Sequence, residues 1–175
     1  MVTYIPRCTR YYCSGTCLEH NLVKDSRVKG KYAAVGIGTL LIESTPILYE
    51  GINEKGLMGG QLNYRCFANY KNKRAQGIMP VQPSFAVTYL LTQCSTVKEV
   101  IDAVKNKITL VSIPLLGIIP MIHWIFADKA GDNVIIEPDK NGLSIYYNSM
   151  GVMTHSPSVD IGKNTGGEGV FLACF

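Results

Sequence analysis

The chain has 175 residues, enough for one domain with a core of its own. Hydrophobic residues make up 47% and charged residues 17%, which excludes a disordered chain; the net charge of +4 comes without a long basic run and does not by itself argue for a nucleic-acid binder. Residues 1–12 already hold arginine, cysteine and tyrosine in place of an apolar signal segment, and no N-x-S/T acceptor occurs, so a cytoplasmic protein with reduced thiols is expected.

Residues 2–5 read as a short β-branched and aromatic strand closed by Pro6. Residues 7–31 show no clean period and read as loop. Within them Cys8, Cys13 and Cys17 precede His20, with four, three and two residues between successive ligand types and no C-x-x-C knuckle. Reduced thiols in an irregular loop fit this spacing better than zinc, so no metal is expected. Residues 32–39, YAAVGIGT, form a buried strand of small residues.

The stretch 46–64, PILYEGINEKGLMGGQLNY, reads as a hairpin. Residues 46–50 lead in, Asn53, Glu54, Lys55 and Gly56 turn, and residues 57–64 lead out. Asparagine bonds its own backbone in turns, and Gly56 is free to take positive φ. Gly59 and Gly60 weaken a strand unless a backbone or ligand comes close. Asn63 then has two readings, a turn residue at a strand tip or an amide lining a pocket. Residues 65–81 are polar and punctuated by Gly77 and Pro80.

Two helices follow. Pro83 suits a first helical position, with Phe85, Ala86, Tyr89 and Leu90 on one face. Thr96 and Glu99 form a capping box, Val97, Val100, Ile101, Val104 and Ile108 recur at helical spacing, and Lys105 and Lys107 fall in the last turn. Residues 108–126 carry no formal charge and approach the length of a bilayer span. Pro114, Gly117, Pro120 and His123 argue instead for a strand, an apolar loop and another strand, the loop covering a hydrophobic pocket or a partner surface.

The remainder is a meander: strands at 124–128, 133–137, 143–147 and 151–154, with turns around Gly131 and at Asn141-Gly142. Beyond Pro157 the pattern collapses; residues 160–169 are polar and glycine-rich, and the chain runs to Phe175 with no expected strand partner. The order is α+β, two consecutive helices on one face of a mainly antiparallel sheet.

The segments KYAAVGIGT (31–39), YEGINEKGLMGGQLNY (49–64), TVKEVIDAVKN (96–106), HWIFADKAG (123–131), VIIEP (134–138) and GVMTHSP (151–157), together with VTYIPR (2–7), resemble the choloylglycine hydrolase and penicillin V acylase family of N-terminal-nucleophile amidases. The match is collinear over residues 28–157. It implies part of a four-layer αββα sandwich, with residues 1–157 a partial domain and 158–175 an unmatched, irregular tail. It also implies cofactor-free hydrolysis of linear amides, commonly glycine- or taurine-conjugated bile acids or penicillin side chains. In that chemistry an N-terminal cysteine attacks, its own α-amine (pKa about 8) acts as base, and a side-chain amide with backbone N–H groups holds the oxyanion.

By this resemblance Asn63, in LNY, falls on the family's oxyanion asparagine. His155, in THSP, stands where the family has another catalytic asparagine. Val2 follows Met1, so loss of methionine exposes no nucleophile. The nucleophile segment is expected upstream of Met1 and a further arginine beyond Phe175, leaving the chain inactive alone. An alternative start at Cys8-Thr9 imitates the family's opening dipeptide but lacks the arginine and aspartate that should follow. The expected partner is a small amide with an apolar acyl or sterol part, favoured by the apolar loop 113–121. No nucleic acid and no membrane span are expected, and self-association to a homo-oligomer is. Two other readings stand beside the hydrolase: a non-catalytic binding or self-associating module, and a zinc or nucleic-acid module on Cys8–His20 with Arg7, Arg10, Tyr11 and Tyr12.

Overall fold

A computed structural model of the chain describes residues 1–12, 27–40, 45–70, 77–114, 117–155 and 173–174. In chain order the strands are β1 (Val2–Ile5), β2 (Arg10–Tyr12), β3 (Arg27–Lys29), β4 (Ala34–Leu40), β5 (Pro46–Asn53), β6 (Met58–Asn63) and β7 (Met79–Val81). A single 3₁₀ turn, Pro83–Phe85, opens helix α1 (Ala86–Gln93). Helix α2 (Val97–Asp102) widens into a π turn over Ala103–Lys107. Strands β8 (Ile108–Leu110), β9 (Ile122–Ala127), β10 (Asn133–Asp139), β11 (Gly142–Tyr147), β12 (Val152–Met153) and β13 (Ala173–Cys174) complete the order.

Seven strands make one sheet in the order β1-β4-β5-β6-β9-β10-β11. Every neighbouring pair is antiparallel. Residues directly opposite one another point to the same side. One side therefore collects Thr3 and Ile5 from β1, Ala34, Trp124 and Phe126 from β9, and Val134 and Ile136 from β10, all buried. Helix α1 lies across β5 and β6 on this side, and α2 lies against β9 and β10. Val87, Leu90, Leu91, Val97 and Val100 complete the main core. The expected α+β architecture, helices on one face of an antiparallel sheet, is the one observed. The helices are bracketed by a short parallel pair, β7 against β8.

Helix α2 begins as the sequence suggests and ends sooner. Thr96 Oγ1 accepts from Glu99 N–H at 3.3 Å. Glu99 reaches back one residue further than in a standard capping box, accepting from Ser95 N–H at 2.6 Å. Asp128, from the β9–β10 turn, adds a cap of its own: Oδ2 accepts Val97 N–H at 2.9 Å and Oδ1 accepts Ala130 N–H at 2.9 Å. Ile108, read as the last helical contact, instead starts β8 and is buried there. Lys107 pairs with Asp102 across the π turn at 2.5 Å.

Three expectations change. Part of the 7–31 loop is sheet: β2 pairs with β3, because Tyr11 and Val28 face each other and both are buried. Residues 79–81 of the polar connection form β7. The chain's end has a strand partner, since Ala173–Cys174 pairs with Val152–Met153, so β12 joins β13 rather than the meander. Cys13, Cys17 and His20 lie outside the described residues, as does the stretch 160–169. Among the described residues no group of three metal-ligating side chains gathers, and no helix is long and apolar enough to cross a membrane.

Candidate active site

The β5–β6 hairpin sets the two ends of the sheet. At one end Asn53 makes the turn. Its Oδ1 accepts the N–H groups of Lys55 (2.9 Å) and Leu57 (3.0 Å), and Gly56 takes φ +83°. Its Nδ2 donates to the carbonyls of Leu91 and Cys94, both at 2.7 Å, so the turn is pinned to the last turn of α1. Strand β6 then runs to the opposite end of the sheet and finishes at Asn63, paired with Ile122.

Asn63 is exposed at that end. His155, 92 residues further on, comes to it: Nδ1 lies 3.1 Å from the Asn63 backbone carbonyl. A carbonyl only accepts, so Nδ1 carries the proton. In the neutral ring Nε2 is then an acceptor, and it becomes a donor only when the ring is protonated. His155 is thus no direct substitute for an amide N–H.

The residue after Asn63 is held from three sides. Tyr64 N–H donates to Met121 O at 2.8 Å. The buried Tyr64 ring stacks on His123, centroids 4.5 Å apart and planes 16° apart. Its hydroxyl lies 3.2 Å from Glu137 Oε2 and 3.1 Å from Asp139 Oδ1. A phenol has one proton, so it donates to one carboxylate, and the other contact is a hydrogen bond only when that carboxyl carries a proton. Burial first, then the charges of Glu137 and Asp139, push the Tyr64 phenol far above its ordinary range. Glu137 Oε1 lies 3.4 Å from His123 Nδ1, with both side chains fully buried, and Ser144 bonds Asp139.

An apolar rim surrounds this end. Phe67 tilts against Tyr64 with centroids 5.3 Å apart, and Ile118, Ile119 and Met121 stand exposed beside it. Tyr70 anchors the rim, contacting Pro120 O at 2.9 Å and Ile122 O at 3.1 Å and accepting Ile122 N–H at 3.0 Å. A cleft of about 310 Å³ opens between Ala68, Asn69, Tyr70, Ser112, Ile119 and Met121.

Cys8 is at the wrong end. It follows β1, whose Ile5 is aligned with Ala34 and so with Asn53 at the turn. Its backbone N–H donates to Gly30 O at 3.0 Å, and Arg7 before it grips Glu54 through both carboxylate oxygens. Cys94 is buried, and that burial pushes its thiol up to about 12, which leaves it unreactive. Gly59, before Asn63, makes room for a core ring and not for a ligand. A Cβ on Gly59 would sit 2.3 Å from the Phe126 ring, so that space is filled by the protein's own core rather than left for a substrate.

Asn63 and His155, singled out from sequence, are brought together. Tyr64, Glu137 and Asp139 had no role assigned. A partial signal existed: His123 and Glu137 are polar residues inside apolar runs, IIPMIHWIF and VIIEP, and a strand of that kind buries whatever stands in it.

Residues 13–164 match the family described as linear amide C–N hydrolases, choloylglycine hydrolase family. A bile salt hydrolase/transferase of Lactiplantibacillus plantarum is 39% identical over 131 residues, 74% of this chain and 39% of that protein. The solved structure of a variant conjugated bile acid hydrolase from Clostridium perfringens superposes with TM-score 0.77 at 29% identity, over 91% of this chain and 46% of that one. A penicillin V acylase from Agrobacterium tumefaciens gives TM-score 0.66 at 21% identity, a likeness of fold. The chain therefore spans about two fifths of the curated relatives and under half of the solved structures. Its seven-stranded sheet and helix layer are part of the αββα sandwich of N-terminal-nucleophile hydrolases.

Proposed function

The chain belongs to the choloylglycine hydrolase family of linear amide C–N hydrolases, and from that premise we propose that its Asn63 end is the oxyanion-binding side of such a hydrolase. The substrate class is an amide whose acyl part is a sterol or another apolar group, as in conjugated bile salts. The observation that carries this reading is the meeting of Asn63 and His155 at one sheet end, next to the apolar rim of Phe67, Ile118, Ile119 and Met121.

Thiolate attack on an amide turns the carbonyl oxygen into an oxyanion. The Asn63 side-chain amide donates to it, a contact whose removal costs about 10²–10³ in rate in comparable sites. His155 acts beside it as a positioning residue, its Nδ1 held on the Asn63 carbonyl. Tyr64, clamped by His123, Glu137 and Asp139, fixes the backbone that aims Asn63. Cys8, at the far end of the sheet, and Cys94, buried, are not placed to attack an amide held at Asn63. On this reading the 175 residues alone release no amine from such a substrate.

The test has two parts. Purified chain is incubated with glycine- and taurine-conjugated cholate and with penicillin V, and release of the amine is followed; none is expected. Glycine-conjugated cholate is then titrated into labelled chain by NMR, and shifts are expected at Asn63, Phe67 and residues 117–121. Hydrolysis above background would overturn that expectation. Shifts confined to other parts of the molecule would overturn the placement of the acyl group.

A further inference from the structure

The rim beside Asn63 is built from side chains that water disfavours. Ile118 is 68% exposed, Met121 43% and Ile119 36%. They stand on the connection from β8 to β9, whose described residues are 111–114 and 117–121 and whose sequence carries no charge. Left to itself, such a segment turns its apolar side chains inward. It is also short of hydrogen-bond donors, because Pro114 and Pro120 have no N–H while their carbonyls still need partners.

Two buried side chains from outside the connection supply those donors. Tyr70, 8% exposed, takes the β9 end through its contacts with Pro120 O, Ile122 O and Ile122 N–H. Gln82, 1% exposed, takes the β8 end. Its Nε2 donates to Ile113 O at 2.9 Å and to Pro114 O at 3.1 Å. Gln82 comes just before the 3₁₀ turn at Pro83, a place where a polar side chain ordinarily caps, yet it makes no cap. Its Oε1 has no partner among the described residues. A buried acceptor without a partner is unfavourable, and an apolar side chain of the same length would avoid it. The two Nε2 bonds are therefore what the glutamine contributes. The backbone brings it there, since Val111 N–H donates to Val81 O at 3.0 Å.

We propose that Gln82 and Tyr70 are positioning residues that hold the apolar rim outward, and that this sets a preference for a bulky acyl group over a short one. The inference rests on the reading of the Asn63 end as the substrate side. A rim fixed before the ligand arrives binds a rigid apolar body without first having to be ordered. A short acyl chain reaches Asn63 without touching Ile118 or Ile119, so it gains little from the same anchors.

The test compares two ligands, glycine-conjugated cholate and hexanoylglycine, by NMR titration of the 175-residue chain. Gln82→Met keeps length and burial and removes both donors; Tyr70→Phe removes one oxygen at the other anchor. In each variant the affinity for the cholate conjugate is expected to fall about fivefold or more, with that for hexanoylglycine and the far-UV circular dichroism unchanged. A role in general stability alone would not change the ratio between the two ligands. Wild-type affinity for the cholate conjugate in both variants, with shifts still at Asn63, overturns this inference and leaves the hydrolase reading standing. So does an equal loss for both ligands. Failure of the wild type to bind either ligand near Asn63 overturns that reading and this inference with it.

Discussion

Asn53 does more for this fold than a turn residue usually does. Its one side chain satisfies two N–H groups of its own turn and two carbonyls at the end of α1. The sequence suggested the first pair, because asparagine before Glu-Lys-Gly is a familiar turn signal. It could not suggest the second, which depends on a helix that starts 33 residues later arriving at the same place. Asn53→Ala strands four polar groups, three of them buried, and is expected to cost roughly 2–4 kcal/mol, read as a lower urea midpoint. Asn53→Asp costs more, because a carboxylate then faces the carbonyls of Leu91 and Cys94. Arg7 and Glu54, close by, give a pH signature. The Arg7 guanidinium holds the Glu54 carboxyl below its ordinary range. A depressed carboxyl contributes stability above its unfolded pKa and loses it as pH falls through the folded one. The thermal midpoints of the wild type and Glu54→Gln should therefore differ at pH 7 and converge in acid. The pair is solvent-exposed, so added salt should shrink the gap.

At the scale of elements, local signals were legible and long-range ones were not. The start of α2 could be read from Thr96 and Glu99, the hairpin from Asn53 and Gly56, and the meander from its glycine turns. The early end of α2 could not. Ile108 fits a helical stripe equally well, but its backbone is claimed by β7, where its partner Met79 lies 29 residues upstream and whose Met-Pro-Val sequence has little strand signal. Strands β2 and β3 were missed for a related reason: no period emerges from three-residue strands, and the pairing of the buried Tyr11 with the buried Val28 spans 17 residues of sequence. Asp128 was also passed over. It reads as a turn residue, yet it ties the β9–β10 turn to the first N–H of α2. Asp128→Ala should cost about 1–2 kcal/mol, and hydrogen exchange of the Val97, Lys98 and Glu99 amides should quicken before that of α1.

For the whole molecule, the likeness to the family was legible because its segments stay collinear, and collinear spacing survives where single residues drift. Asn63 could be placed by that likeness alone, since a lone asparagine at a strand tip has no distinguishing chemistry. Its surroundings could not. The clamp on Tyr64 draws on β6, β9 and β10, three strands whose adjacency in the sheet reverses their separation in sequence. His155 marks the opposite case. The sequence showed the substitution plainly, but its consequence, a ring nitrogen committed to the Asn63 carbonyl, is a matter of geometry.

Trp124, the chain's single tryptophan, sits in β9 midway between the two ends of the sheet. It is 1% exposed, and the Tyr70 ring that anchors the apolar rim is 6.3 Å from it. The molecule therefore carries one tryptophan, in a dry environment at the middle of the sheet. Its emission wavelength reports whether the sheet is intact. A single unlabelled sample can follow unfolding of the sheet, because one indole reports from its centre.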